Sequence, residues 1–525
     1  MSKAAEKNGS KNGDPALENE APAPFRCAAV DVGSNAMRLL AAEFEGPASF
    51  FVLESHRIPV RLGHEVFLTG RLSLKIMERA LGGLASFRAK LDELDIPHCR
   101  AVATSAVRES RNGEEFLERA EREAGIALEP ITGSEEARLV HLAVKNRMSL
   151  GQGQWIMADL GGGSVEVSLA DDAGILWTES HTMGSVRLLE VLAGQEEEPG
   201  GFLRLLEEYT ATLRIPSTEG DGPIAGYIAT GGNIETIADL AGIKSGGSVA
   251  RVPLSGLRSL IERLAQLPFR ERVETLGLRE DRADVILPAA MVYLRLGAMV
   301  GASEIHVPGV GVKEGVLLDL GGRLAPRPGE DDPRIRQTLQ SSLALGRRYR
   351  FDEDHGIYVK DLALSLFDQM TSLHGLGTDD RRILLAAAML HDVGSFISRQ
   401  GHHKHSQYIL SHSELPGFST REIAMTAIVA RYHRKGPPRG EHHAFTALAK
   451  PERDRVLKLS SILRLADAMD KEHLQRIRGV RVKIKKHSIV LVLSGEGDIL
   501  LESWAIKRKA DLFRKVFDRE VQIKE

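Results

Sequence analysis

Two short stretches of this sequence begin alike: "DVGSNAMRLL", from Asp31 to Leu40, and "DLGGGSVE", from Asp159 to Glu166. Each opens on an aspartate with a glycine two residues on. Where no Cβ intervenes, successive backbone N–H groups can converge on an anion and cradle phosphate oxygens. Ser34, Asn35 and Ser164 can add side-chain hydrogen bonds to the same oxygens. Asp31 and Asp159 suit a hydrated Mg²⁺, a small hard cation that prefers carboxylate and water oxygen. A third turn, "ATGGN" with Gly231 and Gly232, follows another β-rich run. A single loop of this kind describes a tight β-turn equally well. Two with the same start and a third beside them point to a phosphate cleft between two lobes.

These loops need strands to hold them. "FRCAAVDVGSNAMRLLAAEF" and "QWIMADLGGGSVEVSLAD" each read as strand, turn, strand. A helical pattern from about Ser73 to Leu94 carries apolar residues at Ile76, Ala80, Leu84, Phe87 and Leu91, and "NGEEFLERAEREAG" is a helix closed by Gly125. "GLREDRADVILPAAMVYLRLGAMVG" reads as a largely buried helix, and "EIHVPGVGVKEGVLLDL" as strand, turn and helix. The expected architecture is α/β: a tail over 1–24, lobe I over 25–140 and lobe II over 141–321. The Gly-, Pro- and charge-rich "GGRLAPRPGEDDPRI" then marks a boundary. Residues 334–471 are almost wholly helical in pattern. Residues 478–525 read as a small α+β unit, with two antiparallel strands in "GVRVKIKKHSIVLVLSGEGDILLE" and a last helix in "KADLFRKVFDREV".

At 525 residues, with 42% hydrophobic and 27% charged, the composition is that of a soluble protein of several domains. No apolar run approaches the roughly 20 residues that span a bilayer. The N-terminus lacks a signal-peptide core, and Cys27 and Cys99 make no disulfide framework, so a cytoplasmic protein is expected. The net charge of −3 hides an asymmetry: residues 321–525 hold 36 Lys+Arg against 26 Asp+Glu, and the rest 33 against 46. A basic half suits a polyanion, although a solvated surface or a contact with the acidic half accounts for the count equally well. No recognition motif for specific nucleic acid accompanies it.

The motifs "DVGSNAMRLL", "ATSAVRES", "ITGSEEARL", "DLGGGSVE", "ATGGN" and "GLREDRADV" occur in the order of the exopolyphosphatase / guanosine pentaphosphate phosphohydrolase family, which the chain resembles over about residues 25–320. The resemblance implies two actin-like (ribonuclease H-like) lobes of the sugar kinase and heat-shock ATPase superfamily. It implies Glu136 as the general base that activates the attacking water, Glu166 as a second acid on the metal or the water, and Asp159 on the metal side. Ser34, Asn35, Arg38 and Arg108 fall at phosphate-side positions, with Gly161, Gly162, Gly163, Ser164, Gly231 and Gly232 as walls. Many relatives have hydroxyl residues where this chain has Ala36 and Val165. Glu135, beside the base, reads as an exposed carboxylate. A homodimer is also implied.

The helical region resembles an HD-type metal phosphohydrolase domain in the order His355, His391, Asp392, Asp467, which implies a possible additional divalent metal. His405 and His433 are candidates for a second position there. The run His402, His403 and His405 reads as exposed, beside Lys404, Arg431, Arg434 and Lys435, which suit a phosphate chain. The leading expectation is Mg²⁺-dependent release of terminal orthophosphate from inorganic polyphosphate. Hydrolysis of guanosine pentaphosphate (pppGpp) to the tetraphosphate is the alternative within the family. A kinase is disfavoured by the paired acids Glu136 and Glu166, and a non-catalytic sensor would have no need of both.

Overall fold

The computed structural model describes residues 24–46, 49–192, 201–216, 223–243, 249–325, 332–495 and 497–524. The expected N-terminal tail and most of the expected boundary after Ala325 lie outside them. Two sheets organise the first 320 residues. The first holds β1 (Phe25–Val32), β2 (Met37–Gly46), β3 (Ser49–Ile58), β4 (His98–Ala103) and β5 (Leu128–Pro130) in the order β3-β2-β1-β4-β5. The second holds β6 (Gln154–Leu160), β7 (Val165–Ala170), β8 (Ile175–His181), β9 (Ile224–Thr230), β10 (Ala250–Pro253) and β11 (Glu304–Val307) in the order β10-β11-β9-β6-β7-β8. In each, an antiparallel meander of three strands is extended by parallel ones, β1 beside β4 and β6 beside β9, and the second sheet adds β10 antiparallel to β11 at its edge. The two glycine loops are thus the same hairpin turn in two copies of one topology.

Local signals set the surrounding helices. The helix Leu74–Glu93 starts where Ser73 Oγ accepts from Ile76 N at 3.3 Å, and it buries Ala80, Leu84, Phe87 and Leu91 as the pattern predicts, while Ile76 is half-buried and Met77 is buried beside it. The helix Gly113–Ala124 ends at Gly125, whose φ of 66° suits a residue without Cβ. One assignment changes. The expected boundary at 321 puts the helix Val312–Leu324 in lobe II, but it packs on the first sheet. Val316 and Leu317 join Cys27, Ala29, Leu40 and Phe44 in one core, because the chain returns to lobe I after β11. The helix Gly133–Arg147 lies between the lobes: Leu139 belongs to that core, while Ala137, Val140 and Val144 pack with Met157, Ala170 and Ile228 of the second sheet.

From Pro333 onward helices follow one another to Ala468, with Asp352 and Ser419 capping the helices Glu353–Gln369 and Thr420–Arg431. Gln337 ties this region to lobe II. Its amide accepts from Ile175 N at 3.1 Å and donates to Ile175 O at 3.3 Å. After it come β12 (Ile477–Ile484) and β13 (Ser488–Gly495), antiparallel as expected. The residues read as the end of the second strand instead begin a helix, Leu500–Lys509, which the helix Asp511–Phe517 follows. The chain closes on β14 (Glu520–Lys524), parallel to β13, which the sequence reading did not include. Ile489, Leu491, Ile506 and Phe513 share one hydrophobic core with Leu366, Leu390 and Leu463 of the helical region. Among the described residues no helix is long and apolar enough to cross a membrane.

Candidate active site

Register places the key side chains. Asp31 stands opposite Arg38 at the end of β1–β2, and Asp159 opposite Glu166 at the end of β6–β7. Both aspartates therefore face one cleft of about 660 Å³ between the lobes. Arg38 Nη1 donates to Asp31 Oδ2 at 2.8 Å. Asp159 Oδ1 accepts from the Thr230 hydroxyl at 2.6 Å, and Thr230 is its partner across β9. Glu166 Oε1 accepts from Ser164 at 2.6 Å and Ser180 at 2.9 Å, while its buried Oε2 has no hydrogen-bond partner among the described residues.

Glu136 enters from the first turn of the helix Gly133–Arg147, started by the Thr132 side chain accepting from Glu135 N. Its carboxylate accepts from Arg108 Nη1 at 2.9 Å, and Arg108 also donates to Ile131 O. Arg108 thereby aims the acid from behind and is not among the cleft-lining residues. Three buried carboxyls then lie close together with little cationic compensation. Burial, then the Glu166 carboxylate, drive Glu136 well above the usual range against the pull of Arg108. Burial pushes Glu166 up to about 7, opposed by the Ser164 hydroxyl and aided by Asp159. Asp159 rises to about 6 for the same first reason, opposed by Thr230 and aided by Asp31.

The glycines divide into two kinds. A Cβ on Gly162 would come within 3.0 Å of Ser34 Cβ and 3.4 Å of Asn35 N, so the two loops meet across the cleft there. A Cβ on Gly163 would come within 2.3 Å of Ser105 Oγ. Gly163 is packed against lobe I and does not line the cleft. Gly161, Gly231 and Gly232 do line it, and Gly231 has a φ of 101°. Ser34 Oγ hydrogen-bonds Ser105 Oγ at 2.9 Å, and Asn35 Nδ2 donates to Asp281 O at 3.0 Å while its Oδ1 is unpartnered.

Facing the acids is a group of cations of which sequence reasoning singled out only Arg38. Arg57 sits on β3 directly beside Arg38 in register and pairs with Asp281. Arg282 lies in "GLREDRADV", quoted for its resemblance but not assigned a role. Its Nη1 donates to Asn233 Oδ1 at 2.7 Å, and its Nε is buried without a partner among the described residues. Burial, then repulsion from Arg38 and Arg57, pull Arg282 down to about 10. Arg279 and Lys313 complete the cationic lining. The signal for Arg57 was available, since it stands on the meander next to the glycine loop; that for Arg282 is tertiary. Glu135 is a correction. It is buried, bidentate to Arg138 at 2.7 and 2.8 Å and 3.3 Å from Arg100, because arginines converge on it and on Asp319.

 In the helical region His355, His391, Asp392 and Asp467 do come together, in overlapping groups whose ligand atoms lie within 4.8 Å of one another. His433 joins Asp392 in a second group, but its companion there is His402 and not the expected His405. The exposed reading of His402 and His403 is also corrected. Both are buried, because they lie on the inward face of the helix His402–Ser411 with Ser406, Ile409 and Leu410.

Residues 43–323 match the model of the Ppx/GppA phosphatase family, and residues 335–508 that of Ppx/GppA phosphatase, domain III. The chain belongs to the Ppx/GppA phosphatase family. It is 26% identical to the guanosine-5'-triphosphate,3'-diphosphate pyrophosphatase of Vibrio vulnificus (strain YJ016) over 442 residues, covering 83% of this chain and 86% of that one. Its namesake from Aeromonas hydrophila is also 26% identical, over 444 residues, with 83% and 87% covered. Among solved structures, an exopolyphosphatase from Cytophaga hutchinsonii is similar at 27% identity and a TM-score of 0.52, covering 56% of this chain and 98% of that one.

Proposed function

We propose that this phosphatase releases terminal orthophosphate from inorganic polyphosphate, using Mg²⁺. The observation that carries the reading is the split of one cleft into a face of buried carboxyls and a face of arginines. Arg38, Arg57 and Arg282 repel one another in a buried setting, and a phosphate chain between them relieves that repulsion. The acidic face suits a hard cation: its donors are all oxygen, and Glu166 Oε2 is buried with nothing to accept from. Asp159 and Glu166 would hold the ion, which when bound neutralises charge on the phosphoryl oxygens and lowers the proton affinity of the acids.

In this reading Glu136 takes the proton of an attacking water as its oxygen bonds to the terminal phosphorus. The bridging P–O bond breaks, and the shortened chain leaves with the bridging oxygen. Arg108 keeps Glu136 oriented through their 2.9 Å hydrogen bond. Ser34, Asn35 and the N–H groups of Gly161 and Gly162 face the equatorial oxygens. The surplus of 36 Lys+Arg over 26 Asp+Glu after residue 320 supports a long polyanion running beyond the cleft.

A second reading, hydrolysis of pppGpp, is supported by the two relatives named for a guanosine substrate, whose similarity extends over 83% of this chain. A base would meet Leu240, Leu276 and Leu278 at the cleft's apolar side, where no Phe, Tyr or Trp is among the lining residues. The test is orthophosphate release with Mg²⁺ from long-chain polyphosphate and from pppGpp at matched terminal-phosphate concentration. Faster release from the polymer is expected; a preference for the nucleotide replaces this reading with the second.

A further inference from the structure

One short helix of lobe I, Ser105–Glu109, touches three parts of the machinery. Ser105 Oγ hydrogen-bonds Ser34 Oγ of the first glycine loop at 2.9 Å. Arg108 Nη1 donates to Glu136 at 2.9 Å. Glu109 Oε2 accepts from Arg187 Nη2 at 2.6 Å, and Arg187 belongs to lobe II, on the helix Ser185–Leu192. Neither Glu109 nor Arg187 lines the cleft.

The start of the helix Ser185–Leu192 is bound to the second glycine loop. Ser185 N donates to Gly161 O at 3.1 Å, Val186 N and Arg187 N each donate to Gly162 O at 2.9 Å, and Gly184 N donates to Gly163 O at 3.3 Å. The orphan N–H groups of a helix start thus occupy three successive carbonyls whose lone pairs would otherwise repel a phosphate oxygen. The Arg187 side chain adds a further bond, from Nε to Gly163 O at 2.7 Å. Its guanidinium also lies 4.0 Å over the ring of Phe67, on the lobe I helix Leu62–Thr69. A planar fork can serve a carbonyl, a carboxylate and a ring at once, which the point charge of a lysine cannot. One turn on, Glu190 lies 2.5 Å from His64 of that same lobe I helix.

We propose that Arg187 is a positioning residue for phosphate release. It ties the carbonyl of Gly163, in the loop read as the phosphate cradle, to Glu109, the neighbour of the guanidinium that aims Glu136. Cradle and aiming arginine come from different lobes, so the distance between phosphorus and base is set by contacts across the lobe boundary. Arg187 makes one such contact from within the loop itself, and it touches no reacting atom. The proposal rests on the reading of Glu136 as the base and of the Gly161–Gly163 loop as the cradle.

The experiment is a double-variant cycle of Arg187→Ala and Glu109→Gln in the full chain, on whichever of long-chain polyphosphate and pppGpp the parent cleaves faster. It records kcat, KM, binding of the same substrate without Mg²⁺, and melting curves. Arg187→Ala is expected to lower kcat by about 10–10²-fold, the scale of a misplacement of about 1 Å, with KM and binding little changed. Glu109→Gln is expected to lower kcat by less, and to lower it no further when added to Arg187→Ala. Arg187→Lys is expected to recover part of the loss. With Glu109 36% exposed, the ion pair contributes little to stability, so each variant should melt near the parent. A merely structural Arg187 would instead shift the melting temperature and leave the kcat of folded protein alone. The proposal is overturned by a folded Arg187→Ala with the parent's kcat, or by losses that multiply in the double variant. It is also overturned by binding that falls in step with turnover, which would make Arg187 a direct phosphate ligand. Glu136→Ala tests the base separately, because the coupling of Arg187 to Glu109 is a ratio of four rates in which Glu136 is unchanged.

Discussion

The two lobes place an aspartate at the same point of the same hairpin and give it opposite company. On β1–β2, Asp31 stands opposite Arg38 and is paired with it at 2.8 Å. On β6–β7, Asp159 stands opposite Glu166, and among the described residues neither has a cation as hydrogen-bond partner. One hairpin is electrostatically complete and presents its arginine to the cleft. The other is a pair of buried acids that lacks a counter-charge. Equivalent backbones thus supply a cationic surface and an acidic one, which the proposed function assigns to phosphate and to a metal ion. Glu136, from the helix between the lobes, sits on the acidic side.

The largest effect should come from removing that third acid. Glu136→Ala is expected to lower turnover by about 10²–10⁴-fold, the usual contribution of a general base, with polyphosphate binding retained. Phosphate release and equilibrium binding on one preparation check both halves. Surviving turnover would move the base elsewhere. Next comes a contrast in stability. In metal-free protein, Asp31→Asn strips Arg38 of its partner and is expected to cost about 1–3 kcal/mol. Glu166→Gln removes one of the crowded acids and is expected to raise the melting temperature while abolishing most turnover. Melting curves with and without Mg²⁺ decide this; equal shifts for the two variants would erase the distinction between the hairpins.

Titration sharpens the same contrast. Asp159 at about 6 and Glu166 at about 7 lie above the ordinary carboxyl values of 3.8 and 4.5. Between about pH 4 and 7 the folded state therefore binds more protons than the unfolded state. Stability of the metal-free protein should fall as pH rises through that window, by about 1 kcal/mol or more. Mg²⁺ should reverse the fall, because the ion replaces the protons. Melting temperatures across pH 4–8 with chelator and with Mg²⁺ test this. A chelated protein that gains stability over that range contradicts the uncompensated acids.

Much of this arrangement is legible in the sequence, for a physical reason. A strand ending in Asp-x-Gly and leading into a second strand is a local signal, and both copies carry it. The order of the loops carries the resemblance that selects Glu136 and Glu166. What the sequence hides depends on distant partners. Arg282 reaches the cleft from beyond β9, and its neighbours Arg38 and Arg57 come from the other lobe. Glu135 looks like a surface acid until Arg100 and Arg138 are placed around it. His402 sits in a run of polar residues whose inward face is fixed only by packing of its helix. The helix Val312–Leu324 follows a lobe II strand yet belongs to lobe I, a return that periodicity does not record.

The smallest expected effect separates the cleft from the histidines of the helical region. Among the described residues none that lines the cleft comes from beyond residue 314, and the histidine and aspartate groups of the helical region all lie at or after His355. Replacing His391 and Asp392 together by alanine should therefore leave phosphate release within about twofold of the parent at saturating substrate, since the water, the base and the arginines are untouched. Chain-length preference is where a change is expected, because the basic region that flanks these groups is read as the path of a long polyanion. Rates on short and long polyphosphate measure both. Loss of all release from a folded double variant would place the chemistry in the helical region, and the contrast between the two hairpins would then concern binding alone.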